Sequence, residues 1–347
     1  MTQKTPREAD AIAGLYAREI RTLSGAPLET DACFVCGAKR ARPRYAVEGV
    51  AAQLVVCEGC GLGRFHPVLG AQEIRAFYPD EYYGEPGAKF QPLVERFVRL
   101  VGARHTGFLS RGLAPGARVL DVGCGRGVVL GPLADRGLEV HGVEVSAAAA
   151  RGADPRAEIR IAPDLRTAGY PDAFFDEVMI WHVLEHLQDP RATLIEAHRI
   201  LKPGGRLIVA VPNFESWQAR WSGADWFHLD LPRHLYHFPL TALRRLLVDL
   251  GFELGESHHF SLRQNPFGWI QSALNRIRSL PRNGLYTLLH QRSRREAAPF
   301  DFGMRCLLLL LFAVSAPFAL ALSLAETLGK SGATVHVVAT RPASSRA

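Results

Sequence analysis

Cys33, Cys36, Cys57 and Cys60 form two C-x2-C pairs separated by twenty residues. That is the spacing of a tetrahedral four-thiolate zinc site, where protein fills every coordination position and the metal is structural. Gly37 and Gly61 follow the second cysteine of each pair, where the backbone must turn back toward the metal. The interval AKRARPRYAVEGVAAQLVV has the alternation and β-branched residues of short strands. The competing readings are a redox pair or a site that has lost its metal. Cys124 and Cys306 stand alone and read as packing residues.

A second concentration of chemistry lies in RVLDVGCGRGVVL, residues 118–130, where Gly123, Gly125 and Gly127 follow an apolar run. Glycines after a strand let backbone turn sharply or approach a ligand closely. Arg126-Gly127-Val128 lacks the Gly-Lys-Ser/Thr of a P-loop, and Val128 stands where a dinucleotide fingerprint needs its last glycine. Asp121 precedes the loop, Glu144 ends the next apolar run, and Asp164 ends the one after. Glu144 can accept from both ribose hydroxyls, and Asp164 can accept from an exocyclic adenine amine. No phosphate clamp is present, so the ligand reads as a nucleoside without a pyrophosphate.

These residues need a frame that brings strand ends together. From about residue 91 the chain alternates helical and strand patterns, which argues a parallel sheet covered on both faces. PLVERFVRLVGARHTGFL reads as a helix before the strand RVLDV, and a helix after the glycine loop ends near Gly137. LEVHGVEVS, EIRIA, FDEVMIWHV and GGRLIVAVPN supply further strands, with Ser146 placed to cap a helix and LKPGG to close one. TALRRLLVDLGF is a helix feeding a sixth strand, and TVHVVATRP is the last. Ligands in such sheets bind beyond the carboxyl ends of the strands, where strand order reverses.

VLDVGCGRG, VHGVEVS, FDEVMIWHVLEHLQDP and LKPGGRLIVAVPN, in that order, resemble the class I S-adenosylmethionine-dependent methyltransferases over roughly residues 91–260. CFVCG, CEGCGLGRFHP and FYPDEYYG resemble the zinc ribbon that some bacterial members carry ahead of that domain. The resemblance implies a Rossmann-like, doubly wound, seven-stranded and mostly parallel α/β sheet that binds S-adenosylmethionine. Position by position, Gly123, Cys124 and Gly125 would pass the methionine part, with Asp121 orienting the loop and the cofactor's amino group. Glu144 and Val145 would hold the ribose side, Asp164 and Leu165 would flank the adenine, and Trp181 and His182 would stand beside the methionine end. Gly127 reads instead as a helix-packing glycine, and Glu185 with His186 as a local pair ordering the turn after a strand. Some members that modify quinone precursors hold a divalent ion with a related acid-and-histidine cluster; His182 stands here where an acid would strengthen that case.

An S-adenosylmethionine sulfonium leaves readily, so in-line alignment matters more than covalent catalysis. A hydroxyl acceptor also benefits from a general base. WFHLDLPRHLYHF is dense in such groups. His234 is the first choice as base and His237 the second, with Asp230 beside them.

The remaining segments bear on partners. The chain has 347 residues, 48% apolar and 22% charged, which excludes a largely disordered or fibrous protein. Its net charge of +7 is concentrated locally: Arg276, Arg278, Arg282, Arg292, Arg294 and Arg295 face only Glu296 between residues 265 and 300. CLLLLLFAVSAPFALALSLA, residues 306–325, carries no charge and is long enough to span a bilayer. TVHVVAT follows at once as a sheet strand, however, and Pro317 interrupts the run. With the amphipathic NPFGWIQSALNRIRSL upstream, residues 266–325 read as an interfacial attachment to an anionic leaflet. A buried helical subdomain or dimer element is the alternative. The polar opening MTQKTPREADAIAG lacks the apolar core of a secretory signal, which points to the cytoplasm, at the inner face of the membrane.

The expected organisation is a helical segment over 1–30, the ribbon and linker over 31–85, the cofactor domain over 91–261 and 333–342, and the apolar, basic insert over 262–332. The expected activity is O-methylation of a lipid-linked or envelope glycan or another hydrophobic acceptor. A soluble methyltransferase for a small metabolite or nucleotide sugar is the nearer alternative. A zinc-ribbon nucleic-acid binder is the more distant one. It is disfavoured because CGAKRARPRY is the ribbon's sole basic run and lacks interleaved stacking aromatics.

Overall fold

The computed structural model describes residues 18–77, 96, 106–289 and 300–343. Most of the expected N-terminal helical segment, the first part of the helix before RVLDV, and Arg292, Arg294 and Arg295 lie outside these residues. The N-terminal part contains β1 (Ile20–Thr22), β2 (Leu28–Glu29), β3 (Arg40–Val47), β4 (Gln53–Cys57), β5 (Gly63–His66) and the short helix α1 (Ala71–Ala76). The next part runs β6 (Arg118–Val122), α2 (Leu130–Ala134), β7 (Glu139–Glu144), β8 (Glu158–Ile161), β9 (Phe175–Trp181), α3 (Pro190–Ile200) and β10 (Leu201–Pro212). It continues through α4 (Trp217–Ser222), β11 (Tyr236–His237), α5 (Leu240–Asp249) and β12 (Glu253–His258). Three helices, α6 (Asn265–Asn275), α7 (Gly284–Leu289) and α8 (Phe302–Leu328), precede the last strand, β13 (Thr334–Thr340).

The main sheet has seven strands in the order β12-β13-β10-β9-β6-β7-β8. β10, β9, β6, β7 and β8 pair in parallel, while β13 runs antiparallel to both β10 and β12. The middle strands are mostly apolar because helices cover both faces; Leu207 to Val211 on β10 are fully buried. The chain winds outward from β6 to β8, then returns to the other side of β6 at β9. The strand order therefore reverses between β6 and β9, and the carboxyl ends of those strands form the switch point.

Two local expectations are corrected. Ser146 accepts from the amide of Ala149, but the segment between β7 and β8 is a series of turns and not a helix; Gly152 and Pro155 end it too soon. LKPGG does not close a helix by itself. α3 starts on its Asp189 cap, which accepts from Ala192 N at 2.8 Å, and Leu201 already belongs to β10. The register of β10 shifts between Leu201 and Arg206, around Gly204 at φ +79°.

The N-terminal strands form their own sheet, β1-β3-β4-β5-β11, with β2 on β3. Its last member comes from the segment after β10: Tyr236 pairs with Arg64 and His237 with Gly63. Gly63 is required there, since a Cβ would sit 2.9 Å from that of His237. The core is continuous across the junction, with Cys33, Val35 and Leu62 packing with Phe238 and the β10 side of the main sheet. Tyr45, Leu54 and Phe65 likewise pack with Trp226, Leu229 and Leu235.

α8 is capped by Asp301, whose carboxylate accepts from Met304 N at 2.7 Å. Near its far end the buried Glu326 accepts from Gln218 N and from the indole of Trp269, both at 2.9 Å. Between these anchors the helix is largely exposed: Leu310, Val314 and Phe318 are each 58–68% exposed. Cys306 is exposed as well, which corrects its reading as a packing residue, whereas Cys124 is buried.

Candidate active site

The carboxyl ends of β6, β7, β8 and β9 open into one continuous cleft of about 2780 Å³. Gly123, Cys124, Gly125, Glu144, Val145, Asp164, Leu165, Trp181 and His182 all line it. Asp121 lies just beneath, buried in β6. Burial and the nearby charge of Glu144 push its carboxyl up to about 7.

The glycines of the loop do different work. Gly123 has φ +70°, and a Cβ there would lie 2.6 Å from Val183 in the turn after β9. Gly125, at φ +50°, has nothing within 4 Å of the same position, so its bare face looks into open cleft. Gly127 is a packing glycine, as expected: a Cβ would stand 3.1 Å from Ala153. Oε2 of Glu144 accepts from Gly125 N at 2.9 Å, and Oε1 accepts from Val145 N and Ser146 N. Asp164 accepts from Thr167 N at 2.7 Å, and these amide contacts hold its carboxyl below the usual range.

At the end of β9, His182 adopts a left-handed φ of +55°, a strained conformation of the kind stored at functional sites. Its Nδ1 lies 3.3 Å from Oε1 of the buried Glu185. Glu185 and His186 interact electrostatically, in keeping with the expected local pair. His186 donates through Nδ1 to the carbonyl of Arg233, and His234 donates through Nδ1 to the carbonyl of His228. A carbonyl only accepts, so each ring carries its proton on Nδ1 and presents a lone pair at Nε2. Glu185, His186 and His234 offer ligand atoms that all lie within 4.8 Å of one another. Burial holds His234 well below its ordinary pKa and pushes Glu185 up to about 7.

Asp230 lines the cleft, ion-paired with Arg233 and 3.7 Å from Nε2 of His234. His237 is outside the lining. Its Nε2 donates to the carbonyl of Leu229 at 2.8 Å and its ring packs on Phe214, so its expected role as a second base is corrected to a structural one. Glu185, expected only as a partner that orders a turn, and His228, in the histidine-dense segment after β10, also line the cleft.

Residues 94–257 match the family described as a methyltransferase domain. The ubiquinone biosynthesis O-methyltransferase of Maricaulis maris is 32% identical over 198 residues, covering 52% of this chain and 78% of that protein. The chain belongs to the S-adenosylmethionine-dependent methyltransferases. A second relative of this methyltransferase, the demethylmenaquinone methyltransferase of Renibacterium salmoninarum, is 40% identical over 101 residues, 28% of this chain and 43% of its own. A methyltransferase structure from Archaeoglobus fulgidus covers 72% of this chain and 97% of its own, at 20% identity and a TM-score of 0.42.

At the N-terminal sheet, the four cysteine sulfurs of the methyltransferase converge. Sγ of Cys33 lies 3.6 Å from Cys60 and that of Cys36 lies 3.5 Å from Cys57. Thiolates about 2.3 Å from a tetrahedral zinc would stand about 3.8 Å apart, so the set fits the ion. Both knuckles are built alike: Gly37 and Gly61 have φ of +76° and +74° and donate to the carbonyls of Cys33 and Cys57.

Proposed function

We propose that the protein methylates a hydroxyl oxygen on a hydrophobic acceptor, such as a lipid-linked or envelope glycan or another membrane-borne amphiphile. The observation that carries this reading is the cleft itself, which joins the glycine loop to a wall of apolar side chains from α6 and α8. The names of the relatives, enzymes of ubiquinone and menaquinone synthesis, agree with an apolar acceptor. The test is methyl transfer from radiolabelled S-adenosylmethionine into a bacterial membrane lipid extract. Label moving into the organic phase is expected; label confined to water-soluble metabolites or nucleotide sugars would transfer the assignment to the soluble alternative.

Within this reading, Gly123, Cys124 and Gly125 pass the methionine part of the cofactor and Asp121 faces its amino group. Glu144 and Val145 take the ribose side, Asp164 and Leu165 the adenine, and Trp181 and His182 the methyl end. His234 accepts the acceptor's proton at Nε2, and Asp230 stabilises the imidazolium that results. The ribbon cysteines hold a structural zinc, and residues 266–325 rest on the inner face of the cell membrane.

One observation favours a second reading of the histidine cluster, in which Nε2 of His234 binds a metal in place of accepting the proton. Metal-bound histidines usually donate their other ring N–H to a fixed acceptor, as both His186 and His234 do here. Glu185, His186 and His234 would hold a divalent cation, whose chemistry is to polarise the acceptor oxygen. Manganese titration followed by electron paramagnetic resonance tests this, with His186→Ala expected to abolish the bound signal; a signal unchanged by that substitution excludes it.

A further inference from the structure

The cleft is larger than a cofactor and a small metabolite require, since ordinary ligand pockets enclose about 300–1,000 Å³. Its two ends also differ in chemistry. At the sheet end, Oε2 of Glu185 and Nε2 of both His182 and His228 are buried without a hydrogen-bond partner, and all three residues line the cleft. Buried polar atoms left in this state are costly and mark where a ligand's polar group belongs. At the other end the wall is apolar.

That wall has a helical logic. Leu309, Phe312, Ala316 and Leu320 of α8 all line the cleft, at spacings of three, four and four, so they form one stripe along a single helix face. Phe267 and Ile270 on α6 and Tyr286 on α7 face the same space. Leu309 and Leu320 are 47% and 40% exposed, so the trough is open toward the outer apolar surface of α8.

We infer that the trough between α6, α7 and α8 is the binding site for one apolar chain of the acceptor, whose hydroxyl-bearing head lies at Glu185, His182 and His228. The inference rests on the hydrophobic-acceptor reading and adds the residues that select the chain. Ala316 is the position to block, because as the smallest side chain in the α8 stripe it leaves the most room in the trough. A large group there would fill the trough without touching the glycine loop.

Calorimetry with 4-alkylphenols from ethyl to octyl, on the full-length protein loaded with S-adenosylhomocysteine, tests it. Each added methylene buried in the trough should tighten binding by up to about four-fold. Ala316→Trp should flatten that dependence while leaving 4-ethylphenol and S-adenosylhomocysteine affinities unchanged. Phe312→Ala, a second route to the same wall, should weaken 4-octylphenol several-fold and spare 4-ethylphenol. Unchanged S-adenosylhomocysteine binding certifies that each variant is folded. If both variants keep the full gain per methylene, the chain lies elsewhere and this inference is overturned while the hydrophobic-acceptor reading stands. If the wild type shows no gain with chain length, both are overturned.

Discussion

The amide of Gly125 donates to Oε2 of Glu144 at 2.9 Å, tying the loop after β6 to the end of β7. With Val145 N and Ser146 N on the other oxygen, one carboxylate braces both loops that flank the cofactor. Glu144→Ala should therefore weaken S-adenosylmethionine binding by about 1.5–3 kcal/mol, the scale of hydrogen bonds to a charged group. Calorimetry reads this directly, and affinity equal to wild type would remove Glu144 from the cofactor site.

Asp121 supplies the pH dependence. Its carboxyl is pushed up to about 7, so the free protein holds a proton there under mildly acidic conditions. A cofactor with cationic ammonium and sulfonium groups favours the ionised form, so binding should release that proton. Affinity should thus fall as pH drops below about 7, by at most ten-fold per unit for one linked proton. Titrations in buffers of different ionisation enthalpy would count the proton released, and Asp121→Asn should abolish it.

His234 and His237 should separate cleanly. His234→Gln removes the lone pair in the cleft and should lower kcat by about 10²–10⁴ with cofactor affinity unchanged. His237→Gln disturbs a ring packed between Phe214 and the Leu229 carbonyl, so it should lower Tm while sparing kcat in the protein that remains folded. A rate loss at His237 as large as that at His234 would argue against this division.

Elemental analysis should find close to one zinc per chain, and Cys57→Ser should release it. β5 pairs with β11, only two residues beyond His234, so the loss should make the segment around His234 sensitive to protease. S-adenosylmethionine should still bind, because the cofactor loops sit at the edge of the other sheet. Retention of zinc and of protease resistance in the mutant would rule out the four-thiolate site.

Flotation with anionic liposomes tests the membrane surface. The exposed stripe of α8 should give a salt-resistant component, while basic residues add about 1 kcal/mol each near an anionic surface. Changing Arg276, Arg278, Arg292, Arg294 and Arg295 to glutamine should remove most of the salt-sensitive part and leave cofactor affinity intact. Protein that stays in the soluble fraction at low salt would make α8 a packing or dimer element.

The cysteine knuckles, the glycine loop and the acids at the ends of β7 and β8 were readable from the sequence because each is a local device. Four thiols at fixed spacing, glycines after an apolar run, and acids at or just past a strand end depend on near neighbours in the chain. The parallel sheet followed from the alternation of helix and strand, while the strand order, and so the place where it reverses, came only from the tertiary structure. What the tertiary structure alone decided concerns facing and long-range pairing. Sequence density made both His234 and His237 candidate bases, in that order; the pairing of His237 with Gly63 turned its ring into the packing and left that of His234 in the cleft. Glu185, His186 and His234 come together because the Arg233 and His228 carbonyls hold the two rings, contacts that no periodicity encodes. The apolar run of α8 showed only that it must be buried or meet something apolar. Its packing on α6, with Glu326 tethered to Gln218 and Trp269, set one of its stripes against the methyl-transfer cleft and left another exposed.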